Sequence, residues 1–149
     1  MKIFTNTFRV KAPIQAVADF HRSTTALKRL TPFPVIVQIH HLEPLGEGSI
    51  AEFTMLFGPF PVRWVARHVN VDPLHGFTDI QEKGPMLRWE HKHSFIVISD
   101  EITEVQDRIE YEYHTGWKDL WTRLLYAPAT LRTLFLYRAF VTKMVTNID

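Results

Sequence analysis

The chain has 149 residues, of which 46% are hydrophobic and 13% aromatic, and it contains no cysteine. This length suits one domain, predicted to span residues 1–149, which can bury roughly 70% of its unfolded surface. With 17 basic and 16 acidic residues the net charge is +1, which argues against the clustered positive charge of a nucleic-acid-binding surface. The lack of cysteine excludes disulfides and thiolate chemistry.

The first residues and the apolar runs bear on cellular location. Residues 1–10, MKIFTNTFRV, alternate apolar and polar side chains, which is typical of a strand and unlike the continuous apolar core of a signal peptide. No run approaches the roughly eighteen apolar residues of a membrane span. We therefore expect a cytoplasmic protein that neither binds nucleic acid nor anchors stably in a membrane.

In chain order, the pattern predicts one strand, two short helices, six strands and one long helix. The first strand covers residues 2–10, and Pro13 stands near the start of the first helix, where its missing N–H costs nothing. The apolar stripe of that helix consists of Ile14, Val17, Ala18 and His21. Ser23 or Thr24 can cap a second helix, which ends at Leu30 before two prolines.

Six strands follow, joined by turns that contain Gly, Pro or Asp. Their predicted ranges are 34–43, 48–57, 61–72, 76–83, 87–99 and 102–114. Residues 115–127 form an irregular connection or a short helix, and Pro128 begins the final helix, which reaches about residue 147. One antiparallel sheet wrapped around that helix is the economical packing, and it leaves a hollow wherever the inward side chains do not fill it.

This order of elements resembles the helix-grip fold of the START-like, or SRPBCC, superfamily, which includes polyketide cyclases and plant allergens. The residues that carry the resemblance are APIQAVADFH at 12–21, GPFPVRWVARHVNVDPLHGFTDIQEKGPMLRWEHKHSF at 58–95 and LFLYR at 134–138. They look most like a bacterial branch of ligand-binding SRPBCC-domain proteins. The resemblance implies an α+β fold in which a curved seven-stranded antiparallel sheet wraps around the C-terminal helix, with two short helices between strands 1 and 2. It implies little about activity, because the fold hosts transport, cyclisation and regulation alike.

The segment LRWEHKHSF, residues 87–95, alternates so regularly that the inward face of its strand is clear. Trp89, His91, His93 and Phe95 share one face, and the charged residues fill the gaps on the other. Both histidines must therefore point inward together with the tryptophan. Two imidazoles are unusual in a dry core, whereas they are common in the lining of a cavity.

The following strand presents a second inward set, because the residues between its members are all polar. That set is Val105, Asp107, Ile109, Tyr111 and Tyr113. A matched register across the short turn places His93 beside Asp107, as a candidate buried pair, and Trp89 beside Tyr111. A neighbouring carboxylate would raise the pKa of a histidine, whereas burial would lower it.

In two further strands the alternation by itself allows either face to point inward. In residues 77–82, either Phe77, Asp79 and Gln81 face inward, or the alternate residues Thr78, Ile80 and Glu82 do. We favour the first set, because a matched register then places Asp79 beside His91 and Gln81 beside Trp89, and because the related family has Asp and Gln around this turn. In residues 61–72, the arginines should take the solvated convex side, which leaves Trp64 and His68 facing inward.

The last helix carries an arginine within its apolar face. On a helical wheel, Leu131, Leu134, Val141 and Val145 form one stripe, and Arg138 falls in its middle. An unpaired buried charge costs several kcal/mol, so a buried guanidinium needs an acceptor. Asp79, Asp107 or an acidic ligand could supply that acceptor.

These side chains together predict a small-molecule cavity between the sheet and the last helix, since mostly aromatic walls with a few convergent polar groups are typical of ligand pockets. The predicted ligand-binding residues are Phe53, Phe57, Trp64, His68, Asp79, Gln81, Trp89, His91, His93, Phe95, Tyr111, Tyr113, Phe135 and Arg138. The predicted function is the binding, without a cofactor, of a moderately hydrophobic ligand with a polar or acidic end. Such a ligand would be lipid-, aromatic- or polyketide-like.

Alternative interpretations remain open at this point. The same cavity suits a cyclase or dehydratase, with acid–base candidates His91, His93, Asp79 and Asp107. A filled core without any ligand would also explain buried histidines. A metal held by His68, His91 and His93 is geometrically conceivable, but we predict none, because each strand histidine has a plausible carboxylate neighbour.

Two apolar features lie outside the predicted cavity walls. Trp117 and Trp121, which precede the last helix, are predicted to form a lid over the cavity in preference to a membrane contact. Leu136, Phe140 and Met144 lie at i, i+4 and i+8, opposite the stripe that should pack on the sheet. This row predicts a homodimer, unless residues 115–127 fold back and cover it within one chain.

Overall fold

The computed structural model describes residues 1–147, apart from the side chain of Lys118. The first elements are β1 Lys2–Val10, α1 Ile14–Arg22 and α2 Ala26–Arg29. The strands that follow are β2 Ile36–Leu42, β3 Ile50–Phe57, β4 Phe60–Asp72, β5 Gly76–Lys83, β6 Arg88–Ser99 and β7 Ile102–Glu112. A 3₁₀ turn, Trp117–Asp119, leads to α3 Leu120–Leu125, and α4 covers Pro128–Thr146.

The strands form one antiparallel sheet with the spatial order β1-β7-β6-β5-β4-β3-β2. Because β1 and β2 lie at opposite edges of this sheet, the segment that contains α1 and α2 must cross from one edge to the other. The predicted α+β helix-grip architecture is confirmed, with seven antiparallel strands, a long C-terminal helix and two short helices between the first two strands.

The helix α4 packs its predicted apolar stripe against the interior. Leu131 and Val141 are almost fully buried, and Leu131 shares a core cluster with Phe135, Trp64 and Tyr111. Proline at the first position of this helix costs no hydrogen bond, so the helix can begin directly at residue 128. The helix phase inferred from the sequence is therefore confirmed, and it turns the middle of the stripe towards the sheet.

The second helix is shorter than the sequence predicts. It begins at Ala26, and the predicted cap by Ser23 or Thr24 is wrong. The hydroxyl of Ser23 instead accepts a hydrogen bond from the Thr25 N–H within the preceding turn, at 3.2 Å. The helix ends at Arg29, and no side chain caps its first turn. This short element is nevertheless placed so that its apolar residues reach the interior of the molecule.

The outer side of α4 is not covered by the rest of the described chain. Leu136, Phe140 and Met144 keep 63%, 62% and 64% of their surface exposed. The alternative in which residues 115–127 cover this row is therefore wrong. Among residues 1–147, no helix combines the length and the apolar character needed to cross a membrane.

Candidate functional site

A cavity of about 200 Å³ lies between the inner face of the sheet and the helices α1, α2 and α4. The sheet contributes its inward side chains to the wall, and α4 closes the opposite side. The structure places ten of the predicted ligand-binding residues at this wall: Phe53, Trp64, His68, Asp79, Gln81, Trp89, His91, His93, Phe135 and Arg138. That these side chains bind a ligand stays a prediction.

The other four predicted residues lie away from the cavity. Phe95 and Tyr111 are packed into the core, with 3% and 1% of their surface exposed. Phe57 and Tyr113 pack against the edge of the core, and the Tyr113 hydroxyl donates a hydrogen bond to the carbonyl oxygen of Tyr126 at 2.6 Å. An inward direction along a strand thus does not distinguish a core residue from a cavity residue.

The strand registers that build the polar part of the cavity agree with those inferred from the sequence. Across β6 and β7, His93 lies opposite Asp107 and Trp89 lies opposite Tyr111. Across β5 and β6, Asp79 lies opposite His91, so the favoured inward face of residues 77–82 is confirmed.

Gln81 takes a different role from the one that the register suggests. The pairing of β5 with β6 ends at Ile80 opposite Glu90, so Gln81 has no ladder partner on Trp89. Its side-chain amide instead donates to the carbonyl oxygen of Met86 at 2.8 Å and accepts from the Met86 N–H at 3.2 Å. Gln81 therefore lines the cavity with its stem and stabilises the β5–β6 turn with its amide.

The hydrogen bonds of the strand histidines run diagonally between the strands. His91 donates through Nε2 to Asp107 at 3.0 Å, and His93 donates through Nε2 to Asp79 at 3.0 Å. The directly opposed pair of His93 and Asp107 is also close, with 3.2 Å between Nδ1 and Oδ1, but it lacks the angle of a hydrogen bond. The predicted buried pair is thus an ion pair whose imidazole is hydrogen-bonded elsewhere.

A third histidine completes the polar cluster. His68 Nε2 lies 3.0 Å from the free oxygen of Asp79, and its Nδ1 lies 2.9 Å from the hydroxyl of Ser49. Each of the two carboxylates therefore has two imidazoles beside it, with His93 shared between them. Three histidines and two aspartates form one connected cluster, which is at most partly exposed.

Burial and hydrogen bonding set the protonation of this cluster. Burial alone would raise the pKa of Asp79 and Asp107, but hydrogen bonds from the histidines hold both pKa values well below the usual range. Burial would likewise lower the pKa of His93, yet its two carboxylate neighbours raise that pKa to about 9. For His91, burial and the charge of His93 prevail and lower the pKa to about 4. At neutral pH the cationic imidazole of His93 therefore lies beside the neutral imidazole of His91.

Arg138 lines the cavity, and the part of the chain that the structure describes offers it no ionic partner. Among the described residues, no carboxylate oxygen lies within 4 Å of its guanidinium and no hydrogen bond involves it, and its Nε is buried without an acceptor. The guanidinium carbon lies 5.1 Å from the centre of the Phe135 ring. Burial lowers its pKa, while Asp107 and Asp79 act on it only from a distance. The sequence suggested Asp79 and Asp107 as acceptors for Arg138, but both carboxylates contact histidines instead.

His21 is a cavity residue that the site prediction missed. It lies near the end of α1, with its ring 4.9 Å from that of Phe95 and 6.2 Å from that of His93. Its place on the apolar stripe of the first helix was visible in the sequence, but the sequence could not show that this stripe packs beside the strand histidines. Burial, together with the charge of His93, lowers the pKa of His21 to about 4.

The two tryptophans before α4 do not contribute to the cavity wall. Trp117 and Trp121 keep 77% and 44% of their surface exposed, and neither is among the lining residues. Tyr126, which follows α3, lines the cavity instead. The lid predicted for the two tryptophans has no support in this arrangement.

Three side chains of the cluster also have the spacing of metal ligands. Asp79, His91 and His93 each direct one ligand atom to within 4.8 Å of the others. A metal would have to displace the proton of His93 and break two imidazole–carboxylate hydrogen bonds. It would also add positive charge next to Arg138, so this donor set fits a metal poorly.

Comparison with known proteins identifies the fold and not the activity. The sequence matches no family model, and it matches no curated protein. A solved structure from Chromobacterium violaceum aligns over 100% of both chains with a TM-score of 0.79 and 10% identity. An aromatase/cyclase from a Streptomyces species aligns over 96% of this chain and 92% of its own, with a TM-score of 0.75 and 15% identity. A START superfamily protein from Mycobacterium smegmatis aligns over 97% and 99%, with a TM-score of 0.68 and 13% identity. These solved structures share the helix-grip fold that the sequence resemblance implies, and at these identities the likeness concerns the fold alone.

Proposed function

We propose that this protein is a cytoplasmic binding module for a small, moderately hydrophobic ligand with an acidic end. The observation that carries the proposal is the guanidinium of Arg138, which has no partner among the described residues. It lies in a cavity whose two carboxylates already contact histidines. A ligand carboxylate would supply the missing acceptor. The aromatic side chains of the wall would contact the apolar body of the ligand.

The charges of the cavity support an anionic ligand. Arg138 and the protonated His93 balance the charges of Asp79 and Asp107, and the pKa of His68 is raised by its contact with Asp79 despite burial. The site is therefore neutral to positive at physiological pH. The volume of about 200 Å³ is below the roughly 300–1,000 Å³ of sites for drug-sized ligands, which favours a ligand with one ring or a short chain.

Replacing Arg138 by methionine tests the proposal, because methionine keeps the apolar stem and removes the charge. With phenylacetate as the probe, we expect the affinity to fall at least tenfold, since a hydrogen bond to a charged group contributes about 1.5–3 kcal/mol. The uncharged phenylacetamide should lose little. Isothermal titration calorimetry of both compounds measures the difference.

The matched control is Arg132→Met, which removes an exposed arginine from the same helix and should leave both affinities unchanged. Failure of phenylacetate to bind the unmodified protein would contradict the proposal. Equal losses for the acid and the amide would also contradict it, because the guanidinium would then not recognise the charge.

A second candidate function is an enzyme of the cyclase or dehydratase type. The observation that favours it is the pairing of a protonated His93 with a neutral His91 beside the cavity, since one can act as an acid and the other as a base. Substitution of His91 or Asp79 separates the two candidates. A binding module loses affinity, whereas an enzyme loses turnover and still binds its substrate.

We further propose that the exposed row of Leu136, Phe140 and Met144 mediates a homodimer. Each side chain would gain roughly 1.5–3 kcal/mol if it were fully buried at the interface, and a two-fold contact can pair the row with its own copy. Sedimentation is expected to show a dimer that dissociates into a folded monomer in Phe140→Glu. A monomeric wild-type protein at high concentration would refute the interface.

A further inference from the structure

The hydrogen-bonding state of His21 follows from its contact within α1. Its Nδ1 lies 2.9 Å from the carbonyl oxygen of Val17, and a carbonyl can only accept. Nδ1 therefore carries the proton. Burial lowers the pKa of this imidazole to about 4, so the ring holds no second proton at neutral pH. The other nitrogen, Nε2, then has a free lone pair and can act only as an acceptor.

Nothing in the described chain donates to this acceptor. Among residues 1–147, the one hydrogen bond of the His21 side chain is the bond to Val17. Its ring neighbours are the apolar Phe20 and Phe95 and the imidazole of His93. The Nε2 of His93 donates to Asp79 and its Nδ1 lies 3.2 Å from Asp107, and no hydrogen bond joins either nitrogen to His21.

The acceptor lies in the same part of the cavity as Arg138. Both residues line the cavity, α1 packs against α4, and the charge of Arg138 is near enough to lower the pKa of His21. A carboxylate bound to Arg138 would satisfy the guanidinium but would leave the His21 lone pair facing another acceptor. A ligand that covered this acceptor without donating to it would leave it without a hydrogen bond, so a matching ligand must bring a donor of its own.

We propose that His21 accepts a hydrogen bond from the ligand, which makes that ligand an acid with a hydroxyl group one or two carbons from its carboxylate. This inference rests on the proposed binding of an acid at Arg138. Arg138 selects the carboxylate and His21 selects the hydroxyl. Because the cavity wall is itself chiral, we expect the site to bind one enantiomer of such an acid more tightly than the other.

Two pairs of acids test the inference by calorimetry: phenylacetate against mandelate, and 3-phenylpropanoate against 3-hydroxy-3-phenylpropanoate. In the unmodified protein, we expect one enantiomer of at least one hydroxy acid to bind about tenfold more tightly than its parent, the acid without the hydroxyl group. A gain of this size corresponds to one net hydrogen bond. His21→Phe should abolish that gain without weakening the parent acid, and His21→Gln, which retains an acceptor, should keep part of it. His75→Phe, at an exposed histidine outside the cavity, is the control.

A readout on the unmodified protein removes any dependence on the folding of the variants. Nitrogen NMR should show the His21 Nε2 signal shifting when the preferred hydroxy acid binds and staying in place with its parent acid. Parent acids that bind as tightly as both enantiomers of their hydroxy acids would overturn this inference and leave the proposed function intact. Failure of all these acids to bind would overturn both proposals.

Discussion

Replacing Asp107 by asparagine is expected to lower the free energy of unfolding by about 3–5 kcal/mol, the usual cost of removing one partner from a buried ion pair. Asp107 is 6% exposed, accepts a hydrogen bond from His91 and lies 3.2 Å from the protonated His93. Asparagine has nearly the same shape, so the loss would come from the charge and not from a cavity. Urea denaturation at pH 7 measures it.

Histidine NMR of the same variant provides an independent test. The pKa of His93 should fall from about 9, because one of the two carboxylates that raise it is gone. Asp100→Asn, at the exposed turn between β6 and β7, is the control and should change neither quantity. A loss below about 1 kcal/mol, below the usual range for a broken buried pair, with an unchanged His93 pKa would show that the cluster carries no such ion pair.

Stability is expected to peak near pH 6.5 and to fall on the alkaline side. The pKa of His93 is about 9 in the folded protein and about 6.5 in the unfolded chain, so the folded state holds the proton more tightly. That stabilisation is complete below pH 6.5 and is lost as the pH rises through 9, on the order of 3 kcal/mol for such a shift. His68, whose pKa is also raised, contributes in the same direction.

On the acid side the sign is reversed. Burial lowers the pKa of His21 and of His91 to about 4, so the unfolded chain binds these protons first and the protein loses stability between pH 6.5 and 4. Asp79 and Asp107, whose pKa values are depressed, add a further loss below about pH 4.

Urea denaturation from about pH 3 to about pH 10, a range that extends beyond the pKa values of these groups, tests the whole profile. His93→Gln should remove most of the alkaline decline and reduce the acid-side decline of His21 and His91 to the part that burial causes. Stability that increases between pH 7 and pH 9 would contradict the raised pKa of His93.

The strand β6 shows which features the alternation of apolar and polar residues predicts and which it does not. Its inward face, its register with β7 and the proximity of imidazoles to carboxylates all follow from the period of two in residues 87–95. The direction of each hydrogen bond does not follow, because neighbouring side chains on one face lie within reach both directly and diagonally. Nor do the pKa values follow: His91 has a carboxylate partner, yet burial and the charge of His93 lower its pKa.

The sequence by itself determined the order of elements, the inward faces of the central strands and the stripe of α4 that contains Arg138, because these depend on periods of two and 3.6 residues within short segments. Only the tertiary structure decided which inward residues line a cavity and which are core, since Trp89 and Tyr111 have the same local pattern and differ only in what packs over them. It also decided that Arg138 has no carboxylate partner within residues 1–147 and that His21 lies beside the strand histidines. Those facts depend on how helices and strands distant in sequence are placed, which local periodicity does not encode.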